Sequence, residues 1–139
     1  MPKTKILVID DDESVCEFVK LTLEETRKFQ VMATTSAREG LRLAEMHRPN
    51  LVLLDIMMPE MSGAEVAEKL VKNEKTCDIP IAFITGLLTK EDVEKRQGFI
   101  HGFLFISKPV TPIELIEQVE SVLAVITRQK AFVKSLEER

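Results

Sequence analysis

Short, wholly apolar runs recur along this chain, each followed by a longer mixed stretch, and that alternation constrains the fold more than any other feature. The runs are Ile6–Ile9, Val31–Ala33, Leu51–Leu54, Ile81–Ile84 and Phe103–Ile106. Runs of this length without polar alternation fit strands buried on both faces, as in a parallel sheet. The stretches between them carry helix signals. Ser36 with Glu39 and Ser62 with Glu65 have capping-box spacing. Thr111, Pro112 and Glu114 give an N-cap, a proline at the first helical position and an acid at the third. Val15, Phe18, Val19 and Thr22 mark the buried face of a first helix. The polar segment Thr89–Gln97 has only Val93 to offer a core and predicts a short, loosely docked helix. Five βα units in succession predict an α/β fold, a parallel sheet covered on both faces. In such sheets ligands bind beyond the carboxyl ends of the strands.

The residues at those ends are chemically loaded. The first run is followed by Asp10, Asp11 and Asp12, the third by Asp55, the fourth by Thr85 and Gly86, and the fifth by Ser107, Lys108 and Pro109. Asp12 is placed to cap the first helix, which leaves Asp10 and Asp11 free. Carboxylates gathered at one sheet edge repel, and at least one pKa rises unless a cation neutralises them. Oxygen donors of this kind suit a hard cation such as Mg²⁺ or Mn²⁺. Asp55 ends a buried strand, where an unpaired charge is costly. Lys108 offers an opposite charge and Thr85 a hydroxyl. A carboxylate nucleophile, a metal, a cationic clamp and a hydroxyl donor are the parts of a phosphoryl-transfer site.

Composition excludes several other classes. The chain has 139 residues, the size of one domain, and 45% of them are hydrophobic. Its 23 acids outnumber its 19 Lys and Arg, which argues against direct nucleic-acid binding. No apolar run approaches the ~20 residues that cross a bilayer, so no membrane partner is expected. Cys16 and Cys77 match no metal or redox spacing. With no signal-peptide pattern at the N-terminus, a reducing cytoplasm is the expected location.

Four motifs in order then carry a family resemblance. Ile6-Leu-Val-Ile-Asp-Asp-Asp12, Leu53-Leu-Asp-Ile-Met-Met-Pro-Glu-Met-Ser-Gly63, Ile84-Thr-Gly86 and Ser107-Lys-Pro109 together resemble the receiver domain of two-component response regulators. The resemblance runs from about Lys5 into the last helix. It implies a doubly wound, five-stranded (βα)₅ sheet of flavodoxin-like order 2-1-3-4-5. It implies that Asp55 is the phosphoacceptor, and that Asp10, Asp11, Asp55 and the backbone carbonyl of Met57 hold Mg²⁺. Thr85 and Lys108 would bind phosphoryl oxygens. Thr85 and Phe105 would form the switch, and the Lys108–Pro109 peptide would be cis. The donor would be a phosphohistidine on a sensor histidine kinase or a histidine phosphotransfer protein. The output would be the surface of the fourth helix, fifth strand and fifth helix. Such a chain is a signalling domain rather than an enzyme with a separate substrate, although it catalyses its own phosphorylation and dephosphorylation.

The sequence also departs from the family pattern. The segment Gly98-Phe-Ile-His-Gly-Phe-Leu-Phe105 is unusually apolar, which fits either simple alternation across the sheet or a surface for a partner. Met57 and Leu87 are apolar at positions that, by the resemblance, would flank the approach of hydrolytic water. His101 reads as a loop residue and His47 as a charge at a helix end. The receiver is expected over residues 1–126 and a helical extension over 127–139. Leu115, Val119, Val122, Ile126, Val133 and Leu136 keep spacings of four and three, interrupted at Gln129. The extension fits an exposed, frayed helix with Phe132, Val133 and Leu136 there by chance, or, the favoured reading, a protruding helix that pairs with a second chain, as in a homodimer, or leads to an output domain.

Two other functions fit parts of the pattern. A phosphorylation-independent pseudo-receiver is opposed by the intact Asp11, Asp55, Thr85 and Lys108. A haloacid-dehalogenase type of enzyme needs a second aspartate two residues after the nucleophile, where Met57 stands. No GxGxxG follows the first run, which disfavours dinucleotide binding.

Overall fold

Each apolar run becomes a strand and each capped stretch a helix in the computed structural model, which describes residues 2–87, 91–92, 99–100, 103–108 and 111–138. The order is β1 (Thr4–Ile9), α1 (Glu13–Glu25), β2 (Phe29–Thr34), α2 (Ala37–His47), β3 (Leu51–Asp55), α3 (Gly63–Lys72), β4 (Ile81–Thr85), β5 (Phe99–Ile100), β6 (Phe103–Ser107) and α4 (Pro112–Glu137). The caps form where the side chains allow them. Asp12, Ser36, Ser62 and Thr111 each accept a backbone N–H of the helix that follows.

Five strands run parallel, and β1, β2, β3, β4 and β6 keep the expected order 2-1-3-4-5 when counted along the chain. One strand was not foreseen. Phe99–Ile100 forms β5, which pairs antiparallel with β6, Ile100 opposite Phe103 and Phe99 opposite Leu104. The apolar segment before the last parallel strand therefore adds a sixth, two-residue strand to the sheet edge. The expected helix at Thr89–Gln97 falls largely outside the described residues, as do His101 and Pro109 with its expected cis peptide.

The double-sided burial of the strands divides the core in two. Ile6, Val8, Leu53, Ile84 and Ile106 face α1 and α4. Leu7, Ile9, Leu54, Val66 and Phe83 pack on the other side with α2 and α3. Alternate residues of one strand thus feed opposite cores, which is why the runs are continuously apolar. Burying a Leu or Ile side chain contributes about 1.5–3 kcal/mol, so the two layers hold the strand ends in fixed register. Helix α4 is buried on the sheet at Leu115, Val119, Val122 and Ile126. Beyond Ile126 it continues for three turns, with Phe132, Val133 and Leu136 exposed.

Candidate functional site

Parallel register brings the strand ends to one edge of the sheet. Ile9 pairs with Leu54, so Asp10 and Asp55 follow adjacent positions on neighbouring strands. Asp55 pairs with Ile84 and Thr85 with Ser107, which sets Thr85 and Lys108 beside them. Asp10 and Asp55 are both buried and Asp11 is exposed. One carboxylate oxygen from each of the three lies within 4.8 Å of the others.

The charges are only partly balanced. Lys108 Nζ stands 3.3 Å from Asp10 Oδ2 and 3.7 Å from Asp55 Oδ1. Asp10 Oδ1 accepts the Asp12 amide at 2.9 Å, whereas the fully buried Oδ2 has no aligned hydrogen-bond donor despite the nearby ammonium. Burial, the Asp10 charge and a hydrogen bond with Asp11 push the Asp55 carboxyl up to about 6, against the opposing pull of Lys108. Burial by itself would lower the Lys108 ammonium, but Asp10 and Asp55 outweigh it and hold the pKa above its ordinary value. A buried carboxylate oxygen without an aligned donor, beside a carboxylate that resists ionising, is a donor set that a hard cation would satisfy. The donor set fits Mg²⁺.

Backbone geometry explains how Asp55 is held. The Gly63 amide donates to the Ile56 carbonyl at 2.8 Å. A Cβ at Gly63 would collide with the Asp55 carbonyl and lie 2.9 Å from Ile56 Cα. The first turn of α3 therefore rests directly on the peptide after Asp55, a role open only to glycine. At Gly86 an added Cβ would meet Lys108 Cδ at 3.6 Å, ordinary contact, so that position needs smallness only in moderation.

Three further residues hold the site, and sequence reasoning did not single them out. Gln118, buried on α4, accepts the Ser107 amide at 2.9 Å and the Ser107 hydroxyl at 3.0 Å. It thereby pins the strand end from which Lys108 projects. Glu60 accepts the Ala37 amide at 2.8 Å and so ties the loop after β3 to the start of α2. Cys16, buried in the core, donates its thiol to the Asp10 carbonyl at 3.3 Å, and burial pushes that thiol up to about 11. Glutamine at a helical core position is the one signal that pointed to Gln118; nothing in the local sequence pointed to Glu60.

The remaining candidates are placed as follows. Thr85 is buried and its Oγ1 accepts the Leu87 amide at 3.1 Å. Lys108 donates its own amide to the Thr85 carbonyl at 2.6 Å. The half-buried Phe105 ring lies 5.5 Å from that of Phe83. Met57 and Leu87 are 72% and 81% exposed. His47 ends α2, as expected.

Comparison with known proteins points the same way. Residues 6–120 match the response regulator receiver domain. The chain is 35% identical over 124 residues to the polar-differentiation response regulator DivK of Brucella anthropi, covering 88% of this chain and 98% of that protein. It is 33% identical to the DNA-binding dual master transcriptional regulator RpaA of Synechocystis, over 86% of this chain but only 48% of the relative. Among solved structures, the chemotaxis response regulator CheY4 of Vibrio cholerae superposes with a TM-score of 0.72 at 26% identity, covering 87% of this chain and 99% of that one. A CheY-like receiver domain protein from Methanospirillum hungatei gives 0.71 at 29% identity, over 92% and 99%.

Proposed function

Because the chain belongs to the response regulator receiver family, we propose that it accepts a phosphoryl group on Asp55 from a phosphohistidine donor, a sensor histidine kinase or a histidine phosphotransfer protein. The observation that carries this reading is the buried Asp55 carboxylate set among Asp10, Asp11 and Lys108. Its oxygen attacks phosphorus, the bond to the donor imidazole nitrogen breaks, and the imidazole leaves with the electron pair. The product is an acyl phosphate on Asp55.

Asp10, Asp11, Asp55 and the Met57 backbone carbonyl would hold Mg²⁺. When bound, the cation screens the repulsion between the carboxylate and the anionic phosphoryl oxygens. Lys108 shares that task by moving its ammonium from Asp10 and Asp55 toward a phosphoryl oxygen. The Thr85 hydroxyl, which in this state accepts from Leu87, rotates to donate to another. Transfer adds about two negative charges at the strand ends. Drawing Thr85 inward frees space next to β4, and Phe105 can leave its packing against Phe83 to fill it. The change then reaches the surface made by β6, α4 and the segment before them.

Incubation with a small acyl phosphate donor and Mg²⁺, followed by intact mass measurement, tests the reading. One phosphoryl adduct is expected on the wild type and none on Asp55→Asn. An adduct that survives this substitution sinks the assignment. No adduct on the wild type, with the fold intact, would favour the interaction-module alternative.

A further inference from the structure

A strand turns the N–H and C=O groups of alternate residues toward its two neighbours. At the carboxyl end of β6 the inner side is taken: Ser107 stands opposite Thr85, and the Lys108 amide donates to the Thr85 carbonyl at 2.6 Å. The N–H and C=O of Ser107 therefore point the other way, out past the sheet. The outer neighbour β5 pairs only with Phe103 and Leu104 and does not reach this level. Ser107 is buried, and buried main-chain polar groups without partners are costly.

Gln118 stands where the next strand would be. Its Oε1 accepts the Ser107 amide at 2.9 Å and the Ser107 hydroxyl at 3.0 Å, and its Nε2 donates to the Ser107 carbonyl at 3.4 Å. A carboxamide carries the acceptor and donor of a peptide group, so it closes the pair as a strand residue would. The surrounding face of α4 is apolar, with Leu115, Val119 and Val122 buried in the same layer as Ile106. An apolar side chain of similar volume would fill that layer as well. The buried carboxamide answers the Ser107 main chain.

What it holds is the root of a charged side chain. Lys108 follows Ser107 directly, and its ammonium lies 3.3 Å from Asp10 and 3.7 Å from Asp55. The side chain is 29% exposed, so packing alone does not fix its head. Its root is gripped from two sides, by Thr85 on β4 and by Gln118 on α4. With the outer grip released, a small backbone rotation at Ser107 is magnified along the four methylenes of the lysine.

We infer that Gln118 is a positioning residue for phosphoryl transfer: by closing the outer edge of β6 at Ser107 it sets the aim of Lys108. The inference rests on the phosphoacceptor reading of Asp55. Gln118 touches no reacting atom, so its effect on the reaction passes through Lys108.

The test compares phosphoryl uptake from a small acyl phosphate donor at saturating Mg²⁺, read by intact mass, in wild type, Gln118→Met, Lys108→Met and the double variant. Methionine keeps the length of the side chain and removes its acceptor and donor. Gln118→Met is expected to slow uptake about tenfold or more. In the Lys108→Met background the same substitution is expected to change the rate by less than about twofold, because the group it aims is gone. Gln118→Asn, with its amide one methylene short of Ser107, should slow uptake in the same way and replaces Gln118→Met if that variant does not fold. Urea unfolding checks that each variant is folded under assay conditions. Equal slowing in both backgrounds is the mark of a merely structural role and overturns the inference. So does uptake unchanged by either substitution. A wild type that shows no adduct on Asp55 fails the phosphoacceptor reading itself, and this inference with it.

Discussion

The Lys108 ammonium lies nearer to Asp10, at 3.3 Å, than to Asp55, at 3.7 Å, so it is shared between a proposed metal ligand and the proposed nucleophile. Lysine and a divalent cation therefore compete for the same carboxylates. Lys108→Met is expected to tighten Mg²⁺ binding about fivefold, roughly 1 kcal/mol of repulsion removed, while slowing phosphoryl uptake. Asp11→Ala is expected to weaken Mg²⁺ by about tenfold or more, since it removes one of few ligands. Calorimetric titration with Mg²⁺ reads both. Weaker binding in Lys108→Met, or unchanged binding in Asp11→Ala, would contradict this picture.

The raised Asp55 carboxyl makes a statement about stability. Its folded pKa of about 6 lies above its ordinary value of 3.8, so between these pH values the folded chain holds more proton than the unfolded one. Stability from this group is present below pH 4 and lost as pH rises through 6. Without divalent cation, Asp55→Asn is thus expected to be more stable than wild type at pH 7, by about 1–3 kcal/mol. The gap should shrink toward pH 4 and also on adding Mg²⁺, which binds the folded wild type. Urea unfolding at pH 4, 5.5 and 7 measures it. A variant no more stable than wild type at pH 7 in chelator would refute the strain.

Gly63 supports Asp55 through backbone contact alone. Gly63→Ala is expected to cost about 1–3 kcal/mol, because the added methyl must displace the Asp55 peptide or the start of α3. Phosphoryl uptake should fall along with stability, since the peptide that moves is the one carrying the nucleophile. Gly86→Ala, where the added carbon meets only ordinary contact, should leave stability within about 0.5 kcal/mol. Equal effects of the two substitutions in urea unfolding would show the reasoning to be wrong.

Hydrolysis of the acyl phosphate needs a water in line with phosphorus. Neither Met57 nor Leu87 can orient one by a strong hydrogen bond. Met57→Asn and Leu87→Glu are each expected to speed loss of the phosphoryl group several-fold at saturating Mg²⁺, by supplying the polar group that is absent. Decay of the phosphorylated chain, followed by intact mass after donor removal, gives the rates. Unchanged or slower decay would remove these positions from the account and leave Asp55 untouched.

Much of this protein was legible before any coordinates. The apolar runs specify strands because a parallel strand buries both faces, so its sequence cannot alternate. Asp12, Ser36, Ser62 and Thr111 specify helix starts because only a short polar side chain reaches back to the free amides. The identities of Asp10, Asp11, Asp55, Thr85 and Lys108 were legible because they follow apolar runs, and strand order carries such residues to one edge. The short strand Phe99–Ile100 was missed: two residues are too few for a periodic signal, and its partner is needed to define it. What tertiary structure alone decided are the contacts between residues far apart in the chain. The Gly63 approach to Asp55 depends on where α3 docks. The Gln118 fork on Ser107 depends on the register of α4 against β6. The rise of the Asp55 pKa depends on burial and on Asp10 arriving from another strand, and neither is a property of the local sequence. Sequence set which chemistry is present, because residue type fixes charge and donor capacity; only packing set the distances, and electrostatic interaction depends on distance and burial as much as on charge.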